Sequence, residues 1–549
     1  MDPFNRKLLR DLWLMRGQAL AIVLVIAAGV ATYVMAQCTL ESLKRAQSSY
    51  YSQFRFADVF THLKRAPQSL EQRIREIPGV AQTQTRVVVN IKVDMPGLIE
   101  PATAKLISIP DHEPLDLNRL HLRSGRSIEA GRPGEVLISE GFASEHHLRP
   151  GDTIRAIING RLRKLTVVGI AMSPEFIFQI REGDILPDDR RYGVFWMSYG
   201  ELAAAFDLTG AFNDVICRLS PDAVEPEVLR QLDDLTAPYG GLGAILRADQ
   251  SSHKFITNEM QELRGMAVVI PTIFLSISAF LLNMVVSRLI AIQREQIAAL
   301  KAFGYTPLEI GWHYIKLILL FVFLGVIFGS GLGFYFGHGV TQLYTRYFHF
   351  PVFSFYPSPS VVLSAFGISV AAAVLGTLMA VRKAVSLAPA AAMRPESPAR
   401  FGPSLPERLG LSRFLSEPVR LILRQLERSP VKSLLTCIGI ALSVSVLILG
   451  SFMLDAMNYA VNAQYFVAMR EDLSVIFAEP SSTQTIYALE RLPGVRLSEP
   501  FRGVAVQLRN GVRSRRIEVM GLTSDAELHR LMDIDSQPVP LPTEGIVLS

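Results

Sequence analysis

Five stretches of this chain, residues 17–40, 266–287, 317–345, 347–381 and 433–454, contain no Asp, Glu, Lys or Arg. A helix that crosses the hydrocarbon core of a bilayer needs about 20 predominantly apolar residues, and each stretch is long enough. Helices buried in soluble cores rarely run this far without a charge. The chain is therefore read as an integral membrane protein. It still carries 55 Lys and Arg and 50 Asp and Glu, which must lie in segments outside the lipid. Their net of +5 over 549 residues does not point to nucleic acid.

The placement of these charges predicts a topology. Segments 1–16, 288–316 and 382–432 hold 4, 4 and 10 Lys/Arg, whereas Arg346 is the only one between the third and fourth stretches. The positive-inside rule then puts the N-terminus and those three segments in the cytoplasm. Residues 41–265 and everything after 455 lie outside, as expected of a multi-pass protein of the cell inner (plasma) membrane. Val34-Met35-Ala36 has the look of a signal-cleavage site, and Cys38 of a lipoprotein cysteine, but the apolar run before them is too long for a signal peptide. It is read as an uncleaved anchor. Three scattered cysteines, Cys38, Cys217 and Cys437, make neither a disulfide framework nor a zinc site.

An internal repeat organises the chain. Leu8-Leu9-Arg10-Asp11-Leu12 before the first span matches Ile422-Leu423-Arg424-Gln425-Leu426 before the fifth. Ile77-Pro78-Gly79-Val80 matches Leu492-Pro493-Gly494-Val495, and Leu106–Ile109 matches Val519–Leu522. Asn118-Arg119-Leu120 and Glu135–Ser139 find partners at His529-Arg530-Leu531 and Gly545–Ser549, with the offset drifting smoothly from 414 and 415 to 410. Five matches in order and in step indicate a tandem duplication. By extrapolation the second repeat, incomplete in this chain, belongs to a protein of roughly 800 residues with eight spans, because tandem membrane repeats normally complete their bundles. The alternative is a native chain with a degenerate second copy.

The expected fold is an α-helical transmembrane bundle with large α/β extracytoplasmic domains. In the first of these, Ser69–Ile77 has helical spacing and Pro78-Gly79 stops it. Val87–Val93 and Val136–Ser139 read as strands, and Asn159-Gly160 between two β-rich runs is a strong hairpin signal. Asn510-Gly511 is its candidate counterpart in the second copy. The chain has no G-x-S-x-G, H-E-x-x-H, C-x-x-C or G-x-x-x-x-G-K-[ST], so no catalytic, cofactor or nucleotide site is expected. Adjacent His146 and His147 diverge on either a strand or a helix and are read as surface residues. Asp184, Asp188 and Asp189 lack the EF-hand pattern and are read as turn carboxylates.

The segment between the second and third spans carries the most specific signals. Residues 293–303 are mostly strong helix formers, and Gly304 suits a left-handed stop. Thr306 begins a second helix with Pro307 in its first turn, Glu309 completing a capping box, and Tyr305 with Ile310 placed as a hydrophobic staple. Helix, tight corner and helix make a rigid knuckle at the inner face. Ile297 and Leu300 share a face that suits a partner's groove; the alternative is a connection packed on its own bundle. In the third span Gly325, Gly329, Gly333 and Gly337 recur every four residues, a stripe for close helix packing that also suits a homodimer. No span carries an ionisable residue of the kind that couples ions.

The knuckle, from Glu295-Gln296-Ile297-Ala298-Ala299-Leu300-Lys301-Ala302-Phe303-Gly304, resembles the loop pattern R-E-I-a-x-L-[RK]-A-x-G of the FtsX/MacB-like permeases of ABC transporters. Glu295 and Gln296 stand where that pattern has Arg and Glu. Arg382-Lys383-Ala384, then Leu387 through Met393-Arg394-Pro395, resembles the family's second signature, and the order of one span, outer domain and three spans also fits. Ser173-Pro174-Glu175-Phe176 through Gly193–Met197 resembles a stretch of the duplicated members. The resemblance implies that a separate cytoplasmic ABC ATPase docks on the knuckle, with Arg294, Glu295, Ile297, Leu300, Lys301, Ala302, Gly304, Thr306 and Glu309 as coupling residues. It implies mechanical transmission to the outer domains, for export or extraction of an envelope substrate or for signalling and activation of wall hydrolases, with a periplasmic adaptor as a further partner. A scaffold without an ATPase is the competing class. The proline-rich segment 386–430 would link the two units.

Overall fold

The computed structural model describes residues 3–98, 100–112, 114–181, 187–386, 416–428, 430–477, 481–510, 513–533, 535–542 and 544–547. The second family signature at Leu387–Pro395, most of the proline-rich linker, Asp184 and Gly511 lie outside the described residues. Met1–Leu442 form one compact unit and Ser443–Ser549 another.

The first unit opens with α1 (Pro3–Leu14) and α2 (Arg16–Gln53). With 38 residues, α2 is about 57 Å long, nearly twice the hydrocarbon thickness, so it spans the bilayer and rises well above it. Cys38 is buried within this unbroken helix.

Above it the chain builds a split β-α-β sheet with a barrel inserted in the middle. β1 (Val59–Pro67), α3 (Leu70–Arg75) and β2 (Val80–Arg86) form the first half of the sheet. The insertion comprises β3 (Val88–Asp94), β4 (Ala102–Ile109), β5 (His121–Gly125), β6 (Glu135–Ser139), α4 (Glu140–Glu145), β7 (Thr153–Ile158), β8 (Arg161–Met172), β9 (Tyr192–Ser198) and α5 (Tyr199–Ala205). The chain then returns as β10 (Ala211–Leu219), α6 (Glu225–Thr236) and β11 (Gly243–Leu246). Strand order β11-β1-β10-β2, antiparallel throughout, is the split β-α-β arrangement. Leu70 and Ile74 of α3 and Val228 and Leu232 of α6 pack with Val59 and Val215 of the sheet. Gly79 stops the α3 turn at φ +96°, as the Pro-Gly signal predicts.

The barrel closes because the 12-residue β8 is long enough to serve neighbours at both of its ends. Residues 161–166 pair with β7, and 166–171 pair with β6. Around the ring the order is β8-β6-β9-β4-β3-β7 and back to β8, with β5 attached to the far end of β8. Closure removes the free edges that an open sheet exposes. The β7–β8 hairpin turns at Asn159 (φ 46°) and Gly160 (φ 73°), the positive pair that a two-residue primed turn requires. Ile91, Leu106, Ile138, Ala156, Leu165 and Phe195 belong to its core.

Barrel and sheet meet through polar groups. Asn213 of β10 exchanges two hydrogen bonds with the Val88 backbone, at 2.7 and 2.8 Å. Arg86, at the end of β2, binds Asp214 of β10 through Nε and reaches Glu175, beyond β8, through both terminal nitrogens at 2.6 and 2.7 Å.

The chain re-enters the membrane through α7 (Ser251–Ile292), followed by α8 (Arg294–Ala302), α9 (Pro307–Tyr344) and α10 (Pro359–Ser386). α2, α7, α9 and α10 share one apolar core. One expectation changes here. The fourth apolar stretch, 347–381, is helical only from Pro359; residues 346–358 leave the helix, and Phe348 and Phe350 pack with Leu43, Tyr50, Ile177 and Ile256 above the span. Pro351, Pro357 and Pro359 explain the difference, since each removes an N–H and restrains the residue before it. In the glycine stripe of α9, Gly325, Gly329 and Gly333 face α2, while Gly337 meets Phe355. A Cβ on Gly329 would fall 2.7 Å from Ala27 O, and one on Gly333 would fall 2.9 Å from Ala31 O. Small residues let these two backbones touch.

α11 (Glu417–Arg428) and α12 (Pro430–Asn462) follow, and α12 carries the fifth apolar stretch. The second unit adds α13 (Gln484–Glu490) and a hairpin of β12 (Arg502–Asn510) and β13 (Arg513–Gly521), paired in register from Arg502↔Gly521 to Asn510↔Arg513. Among its described residues none is buried.

Candidate functional site

The knuckle between α7 and α9 is built from bonds that span no more than five residues. At the end of α8, Tyr305 N donates to Leu300 O and Gly304 N to Lys301 O, both at 3.1 Å, with Gly304 at φ +91°. This is the Schellman pattern, in which a left-handed glycine returns the chain onto its last turn. Thr306 then caps α9. Glu309 N donates to Thr306 Oγ1 at 3.3 Å, and Thr306 N donates to Glu309 Oε2 at 2.8 Å, the reciprocal pair of a capping box. Tyr305 and Ile310, the expected staple residues, both join the bundle core.

The face expected to meet a partner is turned inward. Ile297 (2% exposed) and Ala298 are buried, and Leu300 packs beside Ile297 against the bundle. Lys301 Nζ donates to Val385 O at 2.8 Å and so ties α8 to the end of α10. Arg294 is half-buried, whereas Glu295, Ala302, Gly304, Thr306 and Glu309 are exposed. The large apolar side chains presented by the corner are Phe303 and Leu308, each 82% exposed. Sequence reasoning passed over both. Phe303 lies off the Ile297–Leu300 stripe and beside a left-handed glycine, and that was the available signal.

Beneath the corner a buried polar network fixes α1 to it. Lys7 Nζ donates to Asp11 Oδ2 at 2.8 Å and to Gln293 Oε1 at 2.7 Å, while Tyr314 OH donates to Gln293 Oε1 at 3.1 Å. Burial alone would raise the Asp11 carboxyl, but interactions with His313, Lys7 and Gln293 hold it down at about 2. Lys7 thus ties the entry helix to the junction of α7 and α8. Like α1 and α2, α11 and α12 are a short helix followed by a long apolar one.

Elsewhere, among the described residues, no three His, Cys, Asp or Glu converge as a metal site would require. His146 Nε2 lies 2.8 Å from Arg190 O, and His147 ends its turn at φ 55°. Asp188 Oδ1 accepts from the N–H groups of Arg190 and Arg191, an ordinary turn role. Burial raises the Cys217 thiol to about 12, so it is inert.

Residues 19–235 match the MacB-like periplasmic core domain, and residues 268–389 match the FtsX-like permease C-terminal domain. The chain thus carries a MacB-like periplasmic core domain followed by an FtsX-like permease C-terminal domain. Among solved structures, the extracellular domain of the noncanonic ABC-type transporter YknZ from Gram-positive bacteria is similar at 16% identity, over 35% of this chain and 98% of its own, with a TM-score of 0.24. The periplasmic region of MacB from Actinobacillus actinomycetemcomitans is similar at 12% identity, over 37% and 92%, with a TM-score of 0.24. Comparison with curated proteins gives no match. The FtsX-like match contains the whole knuckle and the glycine stripe; the MacB-like match contains the barrel and most of the split sheet.

Proposed function

We propose that this chain is the permease subunit of an ABC transporter, that a separate cytoplasmic ATPase docks on the corner at 294–309, and that ATP-driven movement of the bundle displaces the extracytoplasmic domain. The observation that carries this reading is the division of the corner into two faces. Ile297, Leu300 and Lys301 hold it to the bundle, and Phe303 and Leu308 stand out from it, each 82% exposed among the described residues. A corner that is stiffened by a Schellman turn and a capping box passes force without bending. An aromatic and an aliphatic anchor of this kind suit an apolar cleft in a partner. The Lys/Arg distribution supports a cytoplasmic N-terminus and corner.

The absence of ionisable coupling groups in the spans favours mechanical transmission over ion-driven carriage. Export or extraction of an envelope substrate is the reading we adopt, with signalling to wall hydrolases by the same movement as its variant. The parallels between the copies support the duplicated arrangement. α13 is followed by Leu492-Pro493-Gly494 with Gly494 at φ +94°, as α3 is followed by Ile77-Pro78-Gly79 with Gly79 at φ +96°.

The test is copurification of the ATPase from membranes carrying Phe303→Asp or Leu308→Asp. Each places a carboxylate in a site that must be dry, and affinity should fall by roughly 10² or more at 1.4 kcal/mol per tenfold. Membrane insertion should be unchanged, since both side chains are exposed. Full retention of the ATPase by both variants would reduce the corner to a connector.

A further inference from the structure

The stretch Ser173-Pro174-Glu175-Phe176, which the sequence singles out without giving it a role, lies where the barrel, the split sheet and the helices meet. It leaves the barrel at the end of β8. The Glu175 carboxylate accepts from Arg86 at 2.6 and 2.7 Å and from Asn118 Nδ2 at 2.7 Å, and all three side chains are buried. Arg86 is bound in turn by Asp214, which also holds His62. One barrel carboxylate is therefore tied to β2, and through β2 to β10 and β1. The backbone of the same stretch is tied to the helices. Gln250 Nε2 donates to Glu175 O at 2.8 Å, while Gln250 Oε1 caps α7 by accepting from His253 N at 2.8 Å. Phe178 N donates to Ser252 Oγ at 2.9 Å, and His349 N, beyond α9, donates to Ile177 O at 2.8 Å.

The cores on the two sides are separate clusters. Between them, beside Arg86, lies a cavity of about 10 Å³ bordered by Gln84, Asn118 and Ser173, no larger than one water molecule. The apolar contact across the junction is a small third cluster, in which Leu117 of the insertion packs with Phe56, Phe60 and Ile216, and directional polar contacts supply the rest. Such contacts hold one geometry strongly and lose it as a unit.

We propose that Arg86 and Glu175 are the positioning pair that makes barrel and sheet move as one body when α7 moves. This deepens the permease reading by naming where displacement passes from the helices into the α/β domain, and it rests on that reading. Without the pair, the domain keeps both chain crossings at Val87 and at 206–210 but loses the tie that fixes their angle. The segment leading into α7 would still hold the sheet through Arg247, which donates to Ala57 O at 2.9 Å and Phe56 O at 2.7 Å, and the barrel's exit through Glu175 O and Phe178 N, but the two would follow the helix without a fixed angle between them.

The experiment uses the whole chain with its copurifying ATPase in lipid nanodiscs. Spin labels sit at Arg73→Cys on α3 and Ser144→Cys on α4, both exposed, in a Cys437→Ser background, since Cys38 and Cys217 are buried. In this parent the sheet-to-barrel distance should be narrow and the same with and without ATP. In Arg86→Met/Glu175→Leu, where apolar residues of similar size replace the pair, the distribution should broaden about twofold or more and become ATP-dependent, as expected of a hinge set free. Basal ATP hydrolysis should be unchanged. If that variant does not fold, Arg86→Lys decides, because it keeps the charge but not the two-pronged contact and should broaden the distance partially. Glu175→Asp, which retains a carboxylate for Arg86, should return the width toward that of the parent. Widths equal to the parent's in both Arg86→Met/Glu175→Leu and Arg86→Lys would overturn the proposal. Absence of a copurifying ATPase would sink the permease reading instead, and the nucleotide-free widths would still test the pair.

Discussion

The corner at 293–309 and the joint at Glu175 sit at opposite ends of the same long helices, and they are built by opposite rules. The corner's own turns come from neighbours, three to five residues apart, and its hold on the bundle is mainly apolar through Ile297 and Leu300. The joint draws together Arg86 with Glu175 and Asp214, 89 and 128 residues away, and takes their charges out of water. Local construction leaves a stiff shape with an open apolar tip, which is what a partner can grip. Long-range construction leaves no tip but a cooperative tie, which is what two separate cores need if they are to turn together. The corner should therefore tolerate most single changes, and the joint should not.

The largest expected effect is Arg86→Ala. It strands Glu175 and Asp214 as buried, uncompensated carboxylates, a situation that costs about 3–5 kcal/mol. Chemical unfolding of the purified chain, followed by a probe in the α/β domain, should show that loss while the bundle's transition stays put. A loss below about 1 kcal/mol, the range of an exposed pair, would mean that the network does not hold the joint.

Next come the helices that connect the two ends. Gly329→Val drives a side chain into Ala27 O and Val30 of α2, and overpacking of this kind costs about 1–3 kcal/mol. Gly331, two residues away, has nothing within 4 Å, so Gly331→Val serves as the control and should stay within about 0.5 kcal/mol. Equal effects on thermal unfolding in bilayers would mean that the stripe is not a packing surface. At the corner itself, Thr306→Ala removes one half of the capping box and should cost about 1 kcal/mol. Hydrogen exchange at Pro307–Ile310 is the direct reading, and the α/β domain should not change. A protection change that reached the barrel would contradict the local character of the corner.

This division also decides what could be read from the chain without coordinates. The spans, the Pro-Gly stop at Gly79, the hairpin at Asn159-Gly160, the left-handed Gly304 and the Thr306–Glu309 box are all set by residues within a few positions of one another, and each was legible. The glycine stripe was legible as a packing face, but its partner was not, because nothing in Gly325–Gly337 says whether α2 or a second copy fills it. Whether Ile297 meets a partner or its own bundle stayed open for the same reason: amphipathicity locates an apolar face but not what covers it. The helix start at Pro359 was obscured by Phe348, Phe350 and Phe353, which are apolar enough to pass for membrane span yet pack above it. Barrel closure depends on β8 serving both β6 and β7, and the Glu175 joint on five segments at once. No periodicity encodes either. The second unit makes the same point from the other side, since α13, Gly494 and the β12–β13 hairpin form from local signals although none of their described residues is buried.

The smallest expected effect separates the groups within the joint by pH. Asp214 is buried, which would raise its carboxyl, but the charges of Arg86 and His62 bring it from 3.8 down to about 2. The stability it contributes is complete above 3.8 and is lost as pH falls toward 2. His62 titrates in the opposite sense. Burial pulls its imidazole down, Asp214 pulls it up further, and the net is a rise above 6.5. Its contribution is therefore complete below 6.5 and disappears as pH rises past its value in the folded protein. The side chain is 43% exposed, so solvent screens the pair and the alkaline loss should be slight. Thermal unfolding of the α/β domain followed from about pH 2 to 9 should show, above about pH 6, a shallow decline in the parent and a flat profile in His62→Gln, with the steeper acid limb the same in both. A decline that survived His62→Gln would assign it to another group. Loss of the acid limb in that variant would mean that His62, rather than Arg86, is the main partner of Asp214.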